Sequence, residues 1–264
     1  MPDISEINLK TYSKPFETWK YARLTGLLPA EAAILHRYHG EIAGRPILDI
    51  GVGGGRTTES LLEISSDYVG ADYSAAMVER CRARFPGIRF EVVDARDLSA
   101  FGDESFALVM FSYNGISSLD HDDRLRALRE MRRVLSPDGI CVFSAHNRNS
   151  PQTGAWSLKN IPPIESWLKA PVPSLKQLVK YPIGIRNALA NRKHERNEAD
   201  YAIVNDEAGC YGLMSYVITV EKQLAQLRSV GFSPLEAVGT DGDALNAGEY
   251  GTHDAWIYYV ARRA

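Results

Sequence analysis

The residues best suited to chemistry begin with an aspartate in a glycine-rich stretch. Positions 46–58 are Pro-Ile-Leu-Asp-Ile-Gly-Val-Gly-Gly-Gly-Arg-Thr-Thr, so that Asp49 is followed by glycines at 51, 53, 54 and 55. The apolar residues around Asp49 are typical of a buried strand, and Thr57 and Thr58 can cap a helix that follows. A strand, a glycine turn and a helix bring bare backbone close to a bound ligand.

The spacing of these glycines excludes two common nucleotide-binding motifs. A dinucleotide fingerprint requires glycines at 51, 53 and 56, and position 56 is Arg. A Walker loop requires a Gly-Lys-Ser/Thr ending, which is absent from this stretch. Because a glycine run alone is a weak signal, the nature of the ligand depends on residues further along the chain.

Polar side chains also follow the next apolar runs, at 68–71, 88–93, 106–111 and 140–144. They are Asp72, Asp94, the group Ser112, Tyr113 and Asn114, and His146. In parallel sheets ligands bind at the carboxyl ends of the strands, where all of these residues are expected to lie. The sequence therefore predicts one site that joins Asp49 to His146 along the edge of a sheet.

The elements that position these residues alternate between strands and helices four times. This alternation predicts an α/β fold with a doubly wound, mostly parallel sheet covered by helices on both faces. We expect an N-terminal cap and helix at 1–45, a core at 46–147 and 219–264, and an inserted lid at 148–218. Within the lid, 201–205 and 211–218 are predicted to pair as a hairpin.

Amino-acid composition limits the classes of molecule that the protein is expected to bind. The 264 residues are 45% hydrophobic and 24% charged with a net charge of −3, which gives no electrostatic reason to bind nucleic acid or an anionic membrane. Three widely separated cysteines and an N-terminus without an apolar leader predict a cytoplasmic protein. Residues 148–200 hold nine Lys/Arg against four acids, which indicates either a site for an anionic acceptor or a solvated lid surface.

Together with the turn Arg-Val-Leu-Ser-Pro-Asp-Gly at 133–139, these motifs resemble class I S-adenosylmethionine-dependent methyltransferases over 46–147 and 219–262. The resemblance implies a Rossmann-like sheet whose last strand, 255–261, is antiparallel. It also implies S-adenosylmethionine as cofactor and S-adenosylhomocysteine as product. No acceptor subfamily is indicated by the inserted lid.

The resemblance assigns a role to each matching position. Asp49 and the backbone from Gly51 through Val52 to Gly53 would flank the methionine moiety, and Asp72 would accept both ribose hydroxyls. Asp94 and the Ala95 amide would contact the adenine edge, and Tyr73, Met77 and Arg96 would pack around that ring. Ser112, Tyr113 and Asn114 would lie beside the sulfonium and the acceptor.

Several of these residues have structural interpretations as well. Asp72 could instead cap a helix, Asp94 could begin a turn, and His146 is as plausible a structural group as a general base. His121 with its neighbouring aspartates is better explained as a helix start than as a metal site, so that no metal is predicted. The arginines 124, 126, 129, 132 and 133 suggest a solvated helix face, and the N-terminal aromatics suggest ordinary packing more than closure over the cofactor.

The function predicted from these observations is methyl transfer to an oxygen or nitrogen of a small molecule. His146 is the candidate base, and Tyr113, Asn114, Tyr211 and Tyr216 are candidates for contact with the acceptor. An RNA or protein acceptor, suggested by the basic segment, and a non-catalytic cofactor-binding domain are the alternatives. The oligomeric state is open.

Overall fold

The computed structural model describes residues 4–151 and 175–264. Its first half contains α1 (Ile4–Tyr12), α2 (Pro15–Tyr21), α3 (Pro29–Arg37), α4 (His39–Ile42), β1 (Ile47–Ile50), α5 (Thr58–Ile64), β2 (Tyr68–Asp72), α6 (Ala75–Arg84), β3 (Arg89–Val92) and β4 (Phe106–Phe111). Its second half contains α7 (His121–Val134), β5 (Leu135–Asn147), α8 (Leu175–Asn191), β6 (Arg196–Asn197), β7 (Tyr201–Asp206), β8 (Leu213–Ile218), α9 (Val220–Ser229), β9 (Phe232–Val238) and β10 (Trp256–Arg263).

The sheet has the order β3-β2-β1-β4-β5-β8-β7-β6, with β10 joining the other edge of β5 and β9 pairing with β10. The pairs β3·β2, β2·β1, β1·β4 and β4·β5 are parallel, whereas β10 is antiparallel to both β5 and β9. The predicted α/β class, the mostly parallel sheet and the antiparallel last strand are confirmed.

Burial explains why β1, β2 and β4 form the centre of the sheet. Every residue of these three strands is buried, as expected for strands covered by helices on both faces. In register, Asp49 of β1 lies beside Gly70 of β2 and Met110 of β4. The carboxyl ends of the three strands therefore meet at one rim of the sheet.

Strand β5 is longer than the sequence predicts. The expected strand covered 140–144, but β5 runs from Leu135 to Asn147 and continues beyond the end of its neighbour β4, whose last residue, Phe111, pairs with Phe143. On the edge that β4 leaves free, His146 and Asn147 pair in parallel with β8. The predicted hairpin is confirmed as the antiparallel pair β7·β8, and it extends the sheet past the carboxyl end of β4.

The N-terminal helices bridge the glycine turn and this hairpin. The Asn8 side chain of α1 donates to the carbonyl of Met214 at 2.9 Å and accepts from its amide at 2.8 Å. Beyond α2, the backbone of Ala22 lies so close to Gly54 that a Cβ on Gly54 would come 2.3 Å from the Ala22 Cα. Only glycine at position 54 allows the N-terminal segment to lie against the turn at this distance.

One surface prediction is wrong. Arg124, expected on the solvated face of α7, is completely buried. Its guanidinium donates to the side chains of Gln223 and Gln226 and to the carbonyl of Ile116, and it lies 4.7 Å from the ring centroid of Tyr216. Within the described part of the chain no carboxylate pairs with it.

At the start of α7, Asp120 accepts from the amide of Asp123, so that the acids around His121 begin a helix as predicted. None of the helices that the structure describes is long and apolar enough to cross a membrane. Much of the basic segment at 148–200 lies outside the described residues.

Candidate functional site

A cavity of about 320 Å³ lies at the carboxyl ends of the central strands. This volume falls at the lower end of the range of small-molecule sites. One side of its wall comes from the turns after β1, β2 and β3, and another from the end of β4, from β5 and from the hairpin. The N-terminal segment completes the wall. The structure therefore brings residues from Asp49 to His146 together at one cavity, as the strand-end argument predicts.

The glycine turn presents bare backbone to this cavity. Gly51 and Gly53 have φ values of +65° and +55°, which residues with side chains rarely adopt. A Cβ on Gly53 would meet no atom closer than 3.9 Å, so it would project into open space. The turn is fixed from the next strand, because the Gly53 amide donates to Asp72 Oδ2 at 2.9 Å.

Asp72 has the geometry expected of a ribose-binding carboxylate. Oδ2 accepts from Gly53 and Oδ1 from the Ser74 amide at 2.8 Å, so each oxygen holds one backbone partner. A carboxylate has about four lone-pair positions. One acceptor position on each oxygen is therefore left for a vicinal diol. Burial raises the pKa of Asp72 to about 6, and the two amides partly oppose this increase.

Two hydroxyl groups fix the Asp49 carboxylate next to the glycine turn. Its Oδ2 accepts from the hydroxyls of Thr57, at 2.5 Å, and Tyr68, at 3.0 Å. Burial raises the pKa of Asp49 to about 6, although both hydroxyl donors lower it. Val52, which follows in the turn, lines the cavity together with Asp49.

The structure places most of the predicted adenine residues at the cavity. Tyr73, Met77, Asp94 and Ala95 all line it. Arg96 does not contribute to this wall; its guanidinium pairs with the Asp94 carboxylate at 2.7 Å and also with Asp123 on α7. Arg96 therefore fixes the Asp94 side chain from outside the cavity.

Buried polar atoms without protein partners show that this cavity is suited to a polar ligand. Among the described residues, Tyr73 Oη, Ser74 Oγ and Asn114 Oδ1 are buried and accept or donate no hydrogen bond, and all three residues line the cavity. Burying a polar group without a partner is unfavourable, so such atoms mark places where a ligand supplies the missing contact.

The loop after β4 is held in an unusual conformation. Tyr113 and Asn114 have φ values of +54° and +61°, in the left-handed region that side chains rarely occupy. The Asn114 amide donates to Ser144 Oγ of β5 at 2.8 Å, which holds the loop against the neighbouring strand. Tyr113 is 43% exposed, and the Arg56 guanidinium lies 5.1 Å from its ring centroid.

Sequence reasoning missed Glu31, which organises this side of the cavity. Glu31 is fully buried on α3, where it forms a two-pronged ion pair with Arg56 at 2.6 and 2.7 Å. Ser112 and Tyr258 donate their hydroxyls to the same carboxylate. The pKa of Glu31 is lowered, because these partners together outweigh the effect of burial. The only sequence signal was Arg56, the residue that breaks the dinucleotide fingerprint.

His146 lines the cavity near the end of β5, where β5 pairs with the hairpin strand β8. In the sheet, β4 lies between β5 and β1, the strand that leads into the glycine turn. Its Nε2 is 3.9 Å from Oδ2 of Asp206, the last residue of β7. Burial lowers the pKa of His146, whereas Asp206 and the Ala255 carbonyl raise it. Of the tyrosines proposed for acceptor contact, Tyr216 is buried beside Arg124, and neither it nor Tyr211 lines the cavity.

The N-terminal segment closes the cavity from the solvent side. Tyr12 and Tyr21 line it and meet edge to face at 5.5 Å, and Tyr21 meets Tyr113 in the same way at 6.4 Å. The aromatics of this segment were interpreted mainly as packing residues, but these two form part of the wall. Phe16 and Trp19 are instead 59% and 49% exposed.

Comparison with known proteins agrees with this geometry. Residues 47–139 match a family described as a methyltransferase domain. Over 144 residues the chain is 33% identical to a demethylmenaquinone methyltransferase of Clavibacter sepedonicus, covering 52% of this chain and 54% of the relative. Over 130 residues it is 34% identical to a ubiquinone biosynthesis O-methyltransferase of Cereibacter sphaeroides, covering 47% and 50%. The chain thus spans about half the length of these relatives.

Solved structures share the fold across nearly the whole chain. A Burkholderia thailandensis 1,6-didemethyltoxoflavin-N1-methyltransferase, solved with 1,6-didemethyltoxoflavin and S-adenosylhomocysteine, is similar with a TM-score of 0.58 at 15% identity, covering 98% of this chain and 87% of that one. A Mesorhizobium loti S-adenosylmethionine-dependent methyltransferase has a TM-score of 0.58 at 22% identity, covering 89% and 98%.

The fold, the glycine turn and the family match together define the class of this domain. Residues 47–139 form a class I S-adenosylmethionine-dependent methyltransferase domain, a class whose cofactor is S-adenosylmethionine.

Proposed function

We propose that this protein transfers the methyl group of S-adenosylmethionine to an oxygen or nitrogen of a small molecule. The observation that carries the proposal is that one cavity is lined both by Asp72 and the glycine turn and by His146. We call the first part the cofactor half and the part around His146 the acceptor half. The N-terminal segment and the hairpin cover this cavity, which favours a compact acceptor over a polymer.

In this proposal one half of the cavity binds the cofactor and the other half binds the acceptor. Asp72 would hold the ribose hydroxyls, Asp94 and Ala95 the adenine edge, and Asp49 with the backbone of Gly53 the methionine moiety. When bound, the cofactor supplies an electrophilic methyl group on a sulfonium. The protein then mainly aligns the acceptor with that methyl, and such positioning can be worth about 7–11 kcal/mol.

On the acceptor side, His146 would take the proton of an acidic acceptor, which typically accelerates a reaction ~100- to 10,000-fold. Asn114 Oδ1, unpartnered among the described residues, would accept a hydrogen bond from the acceptor or the cofactor. Tyr113, half-exposed at the same loop, would pack against the acceptor.

The relatives are consistent with a small acceptor. By their names, one is a demethylmenaquinone methyltransferase, one is a ubiquinone biosynthesis O-methyltransferase, and the Burkholderia protein is a 1,6-didemethyltoxoflavin-N1-methyltransferase. The basic segment at 148–200 suggested an anionic acceptor, but none of its described residues lines the cavity. The carboxylate of Asp206 does line it, and we therefore propose an acceptor without a negative charge.

The test is calorimetric titration of the full chain with S-adenosylhomocysteine, comparing wild type with Asp72→Ala. Two hydrogen bonds to a charged group contribute about 1.5–3 kcal/mol each. Their loss should weaken binding by about 100-fold or more.

The matched control is Asp67→Ala, which removes an exposed carboxylate just before β2, at the opposite end of that strand from Asp72. It should bind as wild type does. Unchanged affinity in Asp72→Ala, or the same loss in both variants, would contradict the assignment of Asp72.

A further inference from the structure

The acceptor half of the cavity pairs one imidazole with one carboxylate, and these come from different parts of the chain. His146 belongs to the core strand β5, whereas Asp206 ends β7 in the inserted hairpin. They face each other only because β8 joins the edge of β5 beyond the end of β4. The insertion therefore contributes a charged group directly to the core site.

Asp206 is rigidly positioned. Its Oδ1 accepts from the Ala208 amide at 2.8 Å, and its Oδ2 accepts from Ser215 Oγ of β8 at 2.7 Å. The chain then makes a left-handed turn, with φ values near +60° at Gly209, Cys210 and Tyr211, before β8 begins. In this position Asp206 Oδ2 is 3.9 Å from His146 Nε2, slightly too far for a hydrogen bond.

The groups that face His146 from the neighbouring elements determine the protonation state of its imidazole before the reaction. Asp206 faces it from β7, the Ala255 carbonyl from the residue before β10, and the charge of Arg124 acts on it from α7. Burial and Arg124 favour the neutral imidazole, and Asp206 and Ala255 favour the imidazolium. Since the net effect lowers its pKa, His146 is neutral at rest and has a carboxylate within reach when it gains a proton.

We propose that the acceptor is a neutral phenol whose hydroxyl lies at His146 Nε2, and that Asp206 is a positioning residue that stabilises the imidazolium formed during transfer. This inference rests on the proposed function. The phenolic oxygen forms its bond to the methyl carbon as the carbon–sulfur bond breaks and sulfur takes the electron pair. The phenolic proton passes to His146 Nε2, and the negative charge of Asp206, 3.9 Å away, stabilises the imidazolium.

The cavity walls favour a flat, uncharged ring. Tyr12, Tyr21 and Tyr113 form a connected set of aromatic edges and faces, and Trp256 and Leu213 add apolar surface. Aromatic rings gain about 0.5–1.5 kcal/mol from such contacts beyond the burial of area. A carboxylate or phosphate on the acceptor would be repelled by Asp206.

An amine is the principal rival, and Asp206 argues against it. A nearby carboxylate raises the pKa of an ammonium group and so stabilises the protonated form, which cannot accept a methyl group. For a phenol the same carboxylate stabilises the imidazolium, a species that forms along the reaction. The His146–Asp206 pair thus assists the phenol and hinders the amine.

The test uses the full chain with S-adenosylmethionine and measures S-adenosylhomocysteine formation with catechol and, separately, with benzylamine, an amine that is protonated in water at neutral pH. Catechol should be the better acceptor. Asp206→Asn should lower kcat for catechol by about 10- to 100-fold, within the range of general base catalysis, and leave KM for the cofactor unchanged. It should also shift the acidic limb of the kcat/KM pH profile to lower pH, because the carboxylate that raises the His146 pKa is gone.

A nitro-substituted catechol, largely ionised at neutral pH, separates catalysis from folding. It needs no base, so Asp206→Asn should affect it much less than catechol, whereas a misfolded variant would lose both activities equally. The matched control is Asp200→Asn, which removes the same charge from an exposed ion pair with Lys222 just before β7. That variant should retain wild-type rates.

Three results would overturn the inference: no turnover of either catechol, faster turnover of benzylamine than of catechol, or a pH profile that Asp206→Asn leaves unchanged. Failure of the proposed function is recognised separately. In that case the protein would not bind S-adenosylhomocysteine in a manner that depends on Asp72, whatever acceptor is offered.

Discussion

Affinity for S-adenosylhomocysteine should fall in mildly acidic solution, because Asp72, the carboxylate that we propose binds the ribose, is buried before the ligand arrives. Burial raises the pKa of Asp72 to about 6 in the free protein. Only the ionised carboxylate can accept a hydrogen bond from each ribose hydroxyl while it also holds Gly53 and Ser74. Protonation of Asp72 therefore competes directly with binding.

The size of the effect follows from the fraction of protein with ionised Asp72. With a pKa of about 6 this fraction is about 0.9 at pH 7 and about 0.1 at pH 5. The affinity attributable to Asp72 should thus fall about tenfold over these two pH units, or about 1.4 kcal/mol. By linkage, binding at pH 6 should release about half a proton from this group.

The assay is isothermal titration calorimetry of S-adenosylhomocysteine between pH 5 and 8, repeated in two buffers of different ionisation enthalpy so that proton release is measured directly. S-adenosylhomocysteine is preferred to the substrate because it is chemically stable and carries no sulfonium. Asp49, whose pKa is also raised to about 6, should add a pH dependence of its own if binding changes its protonation.

Asp72→Asn separates the two contributions. This variant keeps the shape of the side chain, binds more weakly at pH 7 and should lose the tenfold component that belongs to Asp72. If wild-type affinity were constant from pH 5 to 8, or if Asp72→Asn retained the full pH dependence, the reasoning from burial and ribose binding would be refuted.

Three further substitutions test the supports of the site. Glu31→Gln should lower the free energy of unfolding by about 3 kcal/mol in urea titrations, because it leaves the Arg56 guanidinium buried without a carboxylate partner. Gly54→Ala should destabilise the protein by about 1–3 kcal/mol and expose the N-terminal segment to limited proteolysis, because the new Cβ would collide with the backbone of Ala22. Asn114→Gly accepts the left-handed backbone, so thermal stability should be kept while turnover falls by about tenfold through loss of the side-chain amide.

The convergence of the three cofactor-side aspartates could be predicted because it depends on local patterns alone. Asp49, Asp72 and Asp94 each come directly after or within a short apolar run, and parallel strands bring their carboxyl ends to one rim. No tertiary detail was needed beyond the alternation of strands and helices. The antiparallel last strand, by contrast, followed only from the resemblance to a known fold.

Glu31 and Arg124 could not be predicted, because their surroundings are made by distant elements. Glu31 reaches Arg56 only once α3 lies against the glycine turn, 25 residues further along the chain. Arg124 belongs to a row of arginines that indicates a polar helix face, yet glutamines of α9 enclose it. Periodicity within one helix cannot reveal what packs against that helix.

Asp206 illustrates an intermediate case. The alternating residues predicted the β7·β8 hairpin correctly, but not where the hairpin would attach. Its position depends on the length of β5, and the Ser-Pro-Asp-Gly sequence at 136–139 suggested a turn where the strand has in fact begun. The extra length of β5 is what brings Asp206 to His146.

The central claim is that the carboxylates and the bare turn at this rim bind an adenosyl group with its sulfur directed toward His146. A crystal structure of the complex with S-adenosylhomocysteine tests this most directly. We expect both ribose hydroxyls within hydrogen-bond distance of Asp72, adenine beside Asp94 and Ala95, and the sulfur facing the space between Asn114 and His146. A ligand bound elsewhere, or with its ribose away from Asp72, would contradict the account.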